Sequence, residues 1–391
     1  MIFNRLLLWL LRFIEPLRGW QVPVTLLEGT AQGAEGRAVL LVAGHRRRTC
    51  YFTERFFAEE PQEVKTARVP VWSLQRVLDQ WQTEADLTIV EIDRLSARLF
   101  LHNDYLKAPP FVASWMQVPE DLKAFARHHG HAAADMQKVR NRPFESSLSR
   151  EGADFDLFYD RFYTSYILKR HGVTASLAPR WYWRRLFRQG GIHWIMYEGV
   201  RVAADLLVIR GGTLHKLING LRDGEMEWLR KGALAALYLH AIHLAKQMDC
   251  KRIHLGGSRA SLHDGVLRYK CKWGGVICPY EDGFSTHYVT LFHWKHLAGP
   301  VAQFLSHVSL IHHEGGGLSA LWVFPEHLQP TAENLTKECQ LLQADGLKCF
   351  RVLMHGPPPS DFHCPPGIRL IDLRSVGAVS PRVWMRGEAP L

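Results

Sequence analysis

The residues best suited to chemistry lie between Cys250 and Gly274. A short apolar and β-branched run, Arg252 to Leu255, precedes Gly256-Gly257-Ser258, and this pattern predicts a buried strand that ends in a loop. Loops at the carboxyl end of a sheet are where ligands bind. His254, at the end of the strand, can accept a proton near neutral pH, and a hydrogen-bonded buried histidine explains it equally well.

A short helix is expected after this loop. Asp264 can cap its start and Trp273-Gly274 can close it. One side of the helix is cationic and carries Arg268, Lys270 and Lys272. A lysine beside a developing oxyanion stabilises charge that the ground state lacks, whereas the alternative is a solvated lysine on a basic helix.

The preceding elements must position these residues. Three strands joined by tight turns are predicted over His193–Tyr197, Arg201–Ile209 and Leu214–Asn219. A helix over Glu227–Met248 and a final strand over His287–Phe292 complete the order. Near the start of that helix, backbone amides and the helix dipole favour a phosphate beside Arg230-Lys231-Gly232-Ala233.

Four motifs stand on these elements: Val202-Ala203-Ala204-Asp205; Leu255-Gly256-Gly257-Ser258; Gly265-x4-Lys270-x3-Gly274, with Tyr269 before the lysine; and Asp154–Tyr159 followed by Lys169-Arg170-His171-Gly172. Together with the order of the predicted strands and helices, these motifs resemble the GCN5-related N-acetyltransferase (GNAT) superfamily. More narrowly, the chain resembles the Fem-type and BioF2-like branch, in which two such folds occur in tandem. The resemblance implies an α/β (α+β) fold of tandem GNAT-like domains, with mixed central sheets flanked by helices and a small C-terminal α/β appendage.

The resemblance also assigns roles to residues. It implies that Lys270 contacts substrate near the reacting carbonyl, with His254 and Asp205 as further catalytic candidates; Asp205 either orients the amine or pairs with an arginine. The donor's pantetheine or phosphate is expected at Arg230, Lys231, Gly232 and Ala233, where the usual glycine-rich signature is only partly present. The expected substrate-binding residues are Tyr166, Arg170, His171, Arg268, Tyr269, Gly256, Gly257 and Ser258.

Composition narrows the class of protein. The chain has 391 residues, a formal net charge of +10 and a pI near 9.3, which suit an anionic partner such as cofactor phosphates, an anionic membrane surface or RNA. Its seven cysteines are scattered and form no Cys-x-x-Cys pair, so reduced thiols in a cytoplasmic setting and no metal site are expected. A Gly-x-Ser-x-Gly nucleophile elbow is missing, which disfavours a covalent acyl-enzyme.

Four segments are predicted: an interfacial amphipathic helix at 1–20, an N-terminal GNAT-like half at 21–134, a C-terminal GNAT acyltransferase domain at 135–300, and a small α/β appendage with a loose tail at 301–391. The uncharged run Leu6–Leu11 is well short of the ~20 residues that span a bilayer. The leucines, Trp9 and Phe13 together with Arg5, Arg12 and Arg18 instead indicate a helix lying in the membrane interface, or a terminal helix packed on the core.

These observations predict an N-acyltransferase that moves an acyl group from an acyl-CoA or acyl-carrier-protein thioester to a primary amine. An amphiphilic amino alcohol or amino lipid, as in bacterial ceramide formation, is the expected acceptor, at the cytoplasmic face of the inner membrane. Two alternatives stay open. One is an aminoacyl-tRNA-dependent Fem-type aminoacyltransferase with RNA as partner; the other is a non-catalytic membrane-associated scaffold.

Overall fold

The computed structural model describes residues 20–33, 36–44, 46–172, 175, 177–281 and 287–376. The strands in chain order are β1 (Gln21–Thr30), β2 (Arg37–Gly44), β3 (Gln62–Pro70), β4 (Leu87–Asp93), β5 (Leu106–Ala108), β6 (Phe111–Gln117), β7 (Phe144–Ser149), β8 (Gly190–Tyr197), β9 (Val200–Arg210), β10 (Thr213–Leu221), β11 (Arg252–Arg259), β12 (Val276–Pro279), β13 (Tyr288–Trp294), β14 (Leu310–Glu314), β15 (Gly317–Val323), β16 (Phe350–Met354) and β17 (Ile368–Asp372).

The α-helices are α1 (Arg46–Phe56), α2 (Leu74–Trp81), α3 (Arg94–Phe100), α4 (Leu122–His128), α5 (Gly130–Arg140), α6 (Gly152–Leu157), α7 (Ser165–His171), α8 (Arg180–Phe187), α9 (Met226–Lys231), α10 (Ala233–Gln247), α11 (Gly265–Lys272), α12 (Gly299–His307), α13 (Ala332–Leu342) and α14 (Leu373–Val376). A π-helical segment, Phe158–Thr164, joins α6 to α7, and two short 3-10 turns occupy Val71–Ser73 and Arg222–Gly224.

Three sheets hold these strands. Their strand orders are β3-β1-β2-β4-β13-β5, β12-β6-β11-β10-β9-β8-β7 and β14-β15-β16-β17. The first two share one feature, a parallel pair next to antiparallel neighbours: β2 with β4 in one sheet and β10 with β11 in the other. Helices connect the two strands of each parallel pair, as a parallel connection requires. The predicted fold class, α/β with mixed sheets flanked by helices, is confirmed.

The chain divides into two compact units. Of the described residues, the first unit takes those within Met1–Val112, Ser258–Arg268 and Cys278–Leu391, and the second takes Ala113–Gly257 and Tyr269–Ile277. The division therefore falls within β11, after Gly257, and within α11, after Arg268. The segment limits predicted at residues 20, 134 and 300 stay predictions.

Helix α10 forms the centre of the second unit. Its sequence is rich in alanine and leucine, and it is apolar on most sides, as expected for a helix buried on all sides. Ala236, Leu237 and Ile242 are fully buried, in one cluster with Val202 of β9 and Ile253 of β11. The predicted helix over Glu227–Met248 is interrupted, because Gly232 adopts a left-handed conformation (φ +100°) that separates α9 from α10.

Strand β13 corrects one prediction. The pattern at His287–Phe292 was expected to be the last strand after the short cationic helix, within the 135–300 segment. The strand is present at Tyr288–Trp294, and it pairs with β4 and β5 in the six-stranded sheet. Most of its residues are buried, which suits a central strand of any sheet, so its periodicity does not specify its neighbours.

Two predicted segments lie outside the described residues: the interfacial helix up to residue 19 and the tail beyond residue 376. Among the helices that the structure describes, none has the length and apolar character needed to cross a membrane. Near the C-terminus, β15, α13, β16 and β17 form an α/β unit in which the three strands are parallel.

Candidate functional site

In the second unit, strands β10 and β11 pair with each other over only part of their length. The two strands pair in parallel at only three positions, the last being His215 with His254. Both strands continue beyond this point, β10 to Leu221 and β11 to Arg259. The described residues form no further pair between these two strands, so an opening begins after His215 and His254.

Each strand is irregular where the opening starts. In β10 the register with β9 shifts between Lys216 and Ile218, which leaves Leu217 as the extra residue of a β-bulge. In β11, Gly256 has a φ of +76°. A Cβ on Gly256 would lie 3.0 Å from the carbonyl oxygen of Lys216, so the two irregular points face each other at close range.

The loop predicted at Gly256-Gly257-Ser258 is therefore a kinked part of the strand. Strand β11 runs through all three residues to Arg259, and Gly256 and Ser258 are buried. The glycine pattern predicts a strand end, but a glycine with positive φ can also bend a strand and let it continue.

Lys270 of α11 lies at this kink. Its ammonium donates to the carbonyl oxygens of Gly256 (2.9 Å) and Gly257 (2.7 Å), and the residue is only 4 % exposed. Asp264 caps the helix as predicted, since its Oδ1 accepts from the Leu267 amide at 2.9 Å. The buried cation is thus hydrogen-bonded to backbone at the edge of the opening, and it fixes α11 to β11.

His254 supports the same kink. Its Nδ1 accepts a hydrogen bond from the Gly256 amide at 3.2 Å, and its ring lies 5.2 Å from that of His215. Because Nδ1 is the acceptor, the neutral ring carries its proton on Nε2. Uptake of a proton at Nδ1 would require this hydrogen bond to break.

Asp205 lies inside the unit and is fully buried. It forms an ion pair with Lys216, and His193 Nδ1 lies 3.8 Å from its Oδ2. Of the two roles left open by the sequence, the structure shows pairing, with a lysine as the partner where an arginine was expected. The sequence analysis missed Lys216, although its place in an apolar strand was a signal that it must have a buried partner.

A shallow cleft lies beside the distal half of β10. Its lining residues are Tyr166, Asn219, Gly220, Leu221, Leu229, Leu234 and Leu237. The predicted substrate residues Tyr166 and Arg170 meet here, because the Arg170 guanidinium donates to the Tyr166 hydroxyl. The lining of the cleft is mostly apolar, and Asn219 and the Tyr166 side chain are its polar members.

The junction of α9 and α10 adjoins this cleft and is strongly cationic. Leu229 of α9 and Leu234 in the first turn of α10 both line the cleft. Lys138 donates to the Arg230 carbonyl and Arg142 to the Lys231 carbonyl. Lys231 itself forms an ion pair with Glu227 at 2.8 Å. The predicted donor-binding residues therefore sit at the amino end of a long helix.

Lys138 and Arg142 were not predicted as site residues. Their signal in the sequence was a run of basic residues before β7, but nothing in the local pattern linked that run to a helix about 90 positions later.

Tyr269 and Lys272 of α11 share one acceptor. The Tyr269 hydroxyl donates to Asp135 Oδ2 at 3.0 Å, and the Lys272 ammonium lies 2.7 Å from the same oxygen. Burial, followed by the nearby Asp135 carboxylate, raises the pKa of Tyr269 above its usual range. These contacts connect α11 to α5, so Tyr269 supports the helix that carries Lys270.

The remaining predicted residues are not all brought together. Ser258 and Arg268 belong to the first unit, and Arg268 is exposed. The Ser258 hydroxyl is buried and has no hydrogen-bond partner among the described residues. The side chain of His171 lies outside the described part of the chain. Within that part, no group of three His, Cys, Asp or Glu residues is arranged to hold a metal ion.

Comparisons with known proteins complete the description. No protein-family model and no curated protein matches the chain. Among solved structures it is similar to L-PGS from Bacillus licheniformis (11 % identity, 70 % of this chain and 80 % of that chain, TM-score 0.33). It is also similar to FemX (11 %, 66 % and 86 %, 0.33) and to a GCN5-related N-acetyltransferase from Sphaerobacter thermophilus (13 %, 67 % and 73 %, 0.31).

Proposed function

We propose that this protein is an N-acyltransferase whose reaction takes place at the opening between β10 and β11. The observation that carries the proposal is the end of pairing between these strands after three residue pairs, with a bulge at Leu217 facing a kink at Gly256. Such an opening exposes backbone groups inside a sheet, where a linear substrate can lie between the strands. The adjoining cleft and the cationic helix junction extend it in one direction.

The donor would be a thioester of coenzyme A or of an acyl carrier protein. Its phosphates would lie at the amino end of α10, where first-turn amides and the helix dipole favour anions. Lys138, Arg142 and Arg230 bring three further positive charges to this junction, while Lys231 is balanced by Glu227. The pantetheine arm would follow the cleft wall at Asn219–Leu221.

The chemistry is aminolysis of the thioester. The amine nitrogen attacks the carbonyl carbon, the C–N bond forms, the C–S bond breaks, and the proton lost by the amine compensates the departing thiolate. Negative charge develops on the carbonyl oxygen in between, and positioned donors stabilise it. The Leu217 amide, left out of the strand ladder by the bulge, and the Lys270 ammonium are the donors that this chain offers.

The acceptor is proposed to be a primary amine, and an amphiphilic one such as an amino alcohol or amino lipid suits the Leu- and Arg-rich first 20 residues. The net charge of +10 suits an anionic membrane surface as the place of reaction. It would equally attract RNA, so the aminoacyl-tRNA-dependent alternative is an outcome that the experiment must be able to report.

The test uses the purified full chain. Coenzyme A binding is measured by calorimetry, and thiol release from acetyl-CoA and palmitoyl-CoA is followed with sphingoid bases and ethanolamine lipids as acceptors. Amine-dependent thiol release supports the proposal. Absence of coenzyme A binding together with absence of turnover from acyl-CoA and acyl-carrier protein would refute it, and turnover of aminoacyl-tRNA would replace it with the alternative.

A matched pair of variants locates the donor. Arg230→Ala with Lys231→Ala should raise the KM for the thioester more than it lowers kcat, because phosphate contacts are lost equally in the ground and transition states. Lys251→Ala is the control, since Lys251 is also paired with a nearby carboxylate, Asp249 at 2.9 Å, but at the other end of α10. A defect confined to kcat would show that the junction does not hold the donor.

A further inference from the structure

The buried ion pair of Lys216 and Asp205 lies one residue before the bulge of β10. Lys216 is 6 % exposed and Asp205 is fully buried. The lysine ammonium has three partners on two elements: the Asp205 carboxylate on β9, the Leu237 carbonyl oxygen on α10 at 3.3 Å, and the face of the Tyr238 ring at 4.9 Å. The Lys216 side chain therefore connects β10 to β9 and to α10.

This connection lies at the position where the regular pairing of β10 with β9 ends. Lys216 is the last residue of β10 in register with β9 before the bulge, and Leu217 is the residue that the bulge leaves out. The backbone of Lys216 also faces the kink in β11, because its carbonyl oxygen would lie 3.0 Å from a Cβ on Gly256. A shift of Lys216 would move both the Leu217 amide and the wall of the opening.

Stability alone gives a weak reason for such a pair. Taking two charges out of water is costly, and apolar residues of similar size often replace a buried pair without loss of stability. An ion pair adds geometric specificity, because its hydrogen-bonded groups must adopt one of a few relative orientations. We propose that the Lys216–Asp205 pair is a positioning device that sets the bulge of β10, and with it the donor amide at the opening.

The kinetic consequence rests on the proposed function, whereas the structural consequence does not. The double variant Lys216→Met with Asp205→Asn removes both charges and keeps side chains of similar size. Hydrogen exchange of peptides covering Thr213–Leu221 should accelerate at least about tenfold, since the bulge loses its anchor. Turnover should fall about a hundredfold with an unchanged KM for the thioester, because misplacement of a donor by about 1 Å is enough for such a loss.

A second, part-buried ion pair provides the control. Arg351 and Glu314 form an ion pair in the four-stranded sheet, and Arg351→Met with Glu314→Gln should leave the exchange of Thr213–Leu221 and the kcat of the folded protein unchanged.

Unchanged exchange in the Lys216 double variant, or a loss of turnover equal to that of the control, would overturn the proposal. Failure of this variant to fold would also overturn it, by assigning the pair to folding. If the wild-type protein has no thioester turnover, the proposed function fails, and hydrogen exchange alone still decides whether the pair holds the bulge.

Discussion

Lys270 shows how one side chain can connect a motif to a fold. The resemblance of the motif predicts a lysine near a reacting carbonyl, which stays a prediction, and the structure places the Lys270 ammonium on the carbonyl oxygens of Gly256 and Gly257. Gly256 and Gly257 lie at the kink of β11 where the opening begins. The Lys270 ammonium therefore holds the kink and also lies beside the opening. Lys272, two positions later, is bound to Asp135 and faces a different element.

We expect Lys270→Met to lower turnover about a hundredfold, because one positioned donor to an oxyanion is typically worth ~3 kcal/mol. It should also lower the free energy of unfolding by about 1–3 kcal/mol, since two buried carbonyl groups lose their donor. Steady-state kinetics and urea denaturation measure the two effects separately. Lys246→Met is the control, because Lys246 also donates to a backbone carbonyl, that of Glu120 at 2.7 Å. Equal effects of the two substitutions on kcat would remove Lys270 from the mechanism.

Gly256 offers a second test at the same scale. Gly256 and Gly199 have the same φ of +76°, so an alanine at either position costs about 1–2 kcal/mol in backbone strain. A Cβ meets nothing within 4 Å at Gly199, whereas at Gly256 it lies 3.0 Å from the Lys216 carbonyl oxygen. We therefore expect Gly256→Ala to lose a further ~1–3 kcal/mol of stability and most of its turnover. Thermal unfolding of both variants, compared side by side, checks this; identical shifts would show that β10 and β11 do not approach closely here.

At the scale of elements, β10 is held between helical segments at the cleft. The π-helical segment Phe158–Thr164 packs directly on the strand, because Gly220 leaves no side chain between them. A Cβ on Gly220 would lie 2.6 Å from the Phe162 carbonyl oxygen. π-Helical turns inside helices are frequent at functional sites, and this one lies next to the cleft-lining Tyr166.

Gly220→Ala should accordingly push β10 away from the π-helical segment. The expected loss of stability is at or above the upper end of the ~1–3 kcal/mol usual for overpacking, since the obstacle is backbone that cannot rotate away. Coenzyme A affinity should fall as well, because Gly220 lines the cleft. Gly130→Ala is the matched control, with open space around its Cβ and a helical setting that alanine favours. A Gly220→Ala protein with normal unfolding and normal affinity would contradict this packing.

For the whole molecule, the lowered pKa values of three histidines predict how the free energy of unfolding depends on pH. Burial lowers the pKa of His240, His263 and His312 to about 4. The unfolded chain, with histidine pKa values near ~6.5, therefore binds more protons than the folded protein between about pH 4 and 6.5. The contribution of these histidines to the free energy of unfolding should have its full value above this range and should decrease as the pH falls through it.

The measurement is the free energy of unfolding by urea from pH 7.5 to 4.5. His312, which is 2 % exposed, should contribute about one proton, or ~1.4 kcal/mol per pH unit within the range, so His312→Asn should flatten the slope by that amount. An unaltered slope in His312→Asn would show that its burial does not exclude a proton.

Local patterns in the sequence determined the helices and strands that carry the site. The Asp264 cap, the cationic helix α11 and the hairpin strands β8, β9 and β10 follow from residue periodicity and turn residues, which act over a few positions. The fold class followed from their order. Both larger sheets contain a parallel pair beside antiparallel neighbours, although the sequence shows no repeat.

Only the tertiary structure decided which distant groups meet. It paired Asp205 with Lys216, brought Lys138 and Arg142 to the start of α10, placed β13 in the six-stranded sheet, and kept Gly256 within a strand. Each of these outcomes depends on packing between segments far apart in the chain or on one backbone angle that a glycine leaves open. Local sequence specifies which elements form, whereas the burial of their faces and the pairing of their buried charges specify where those elements meet.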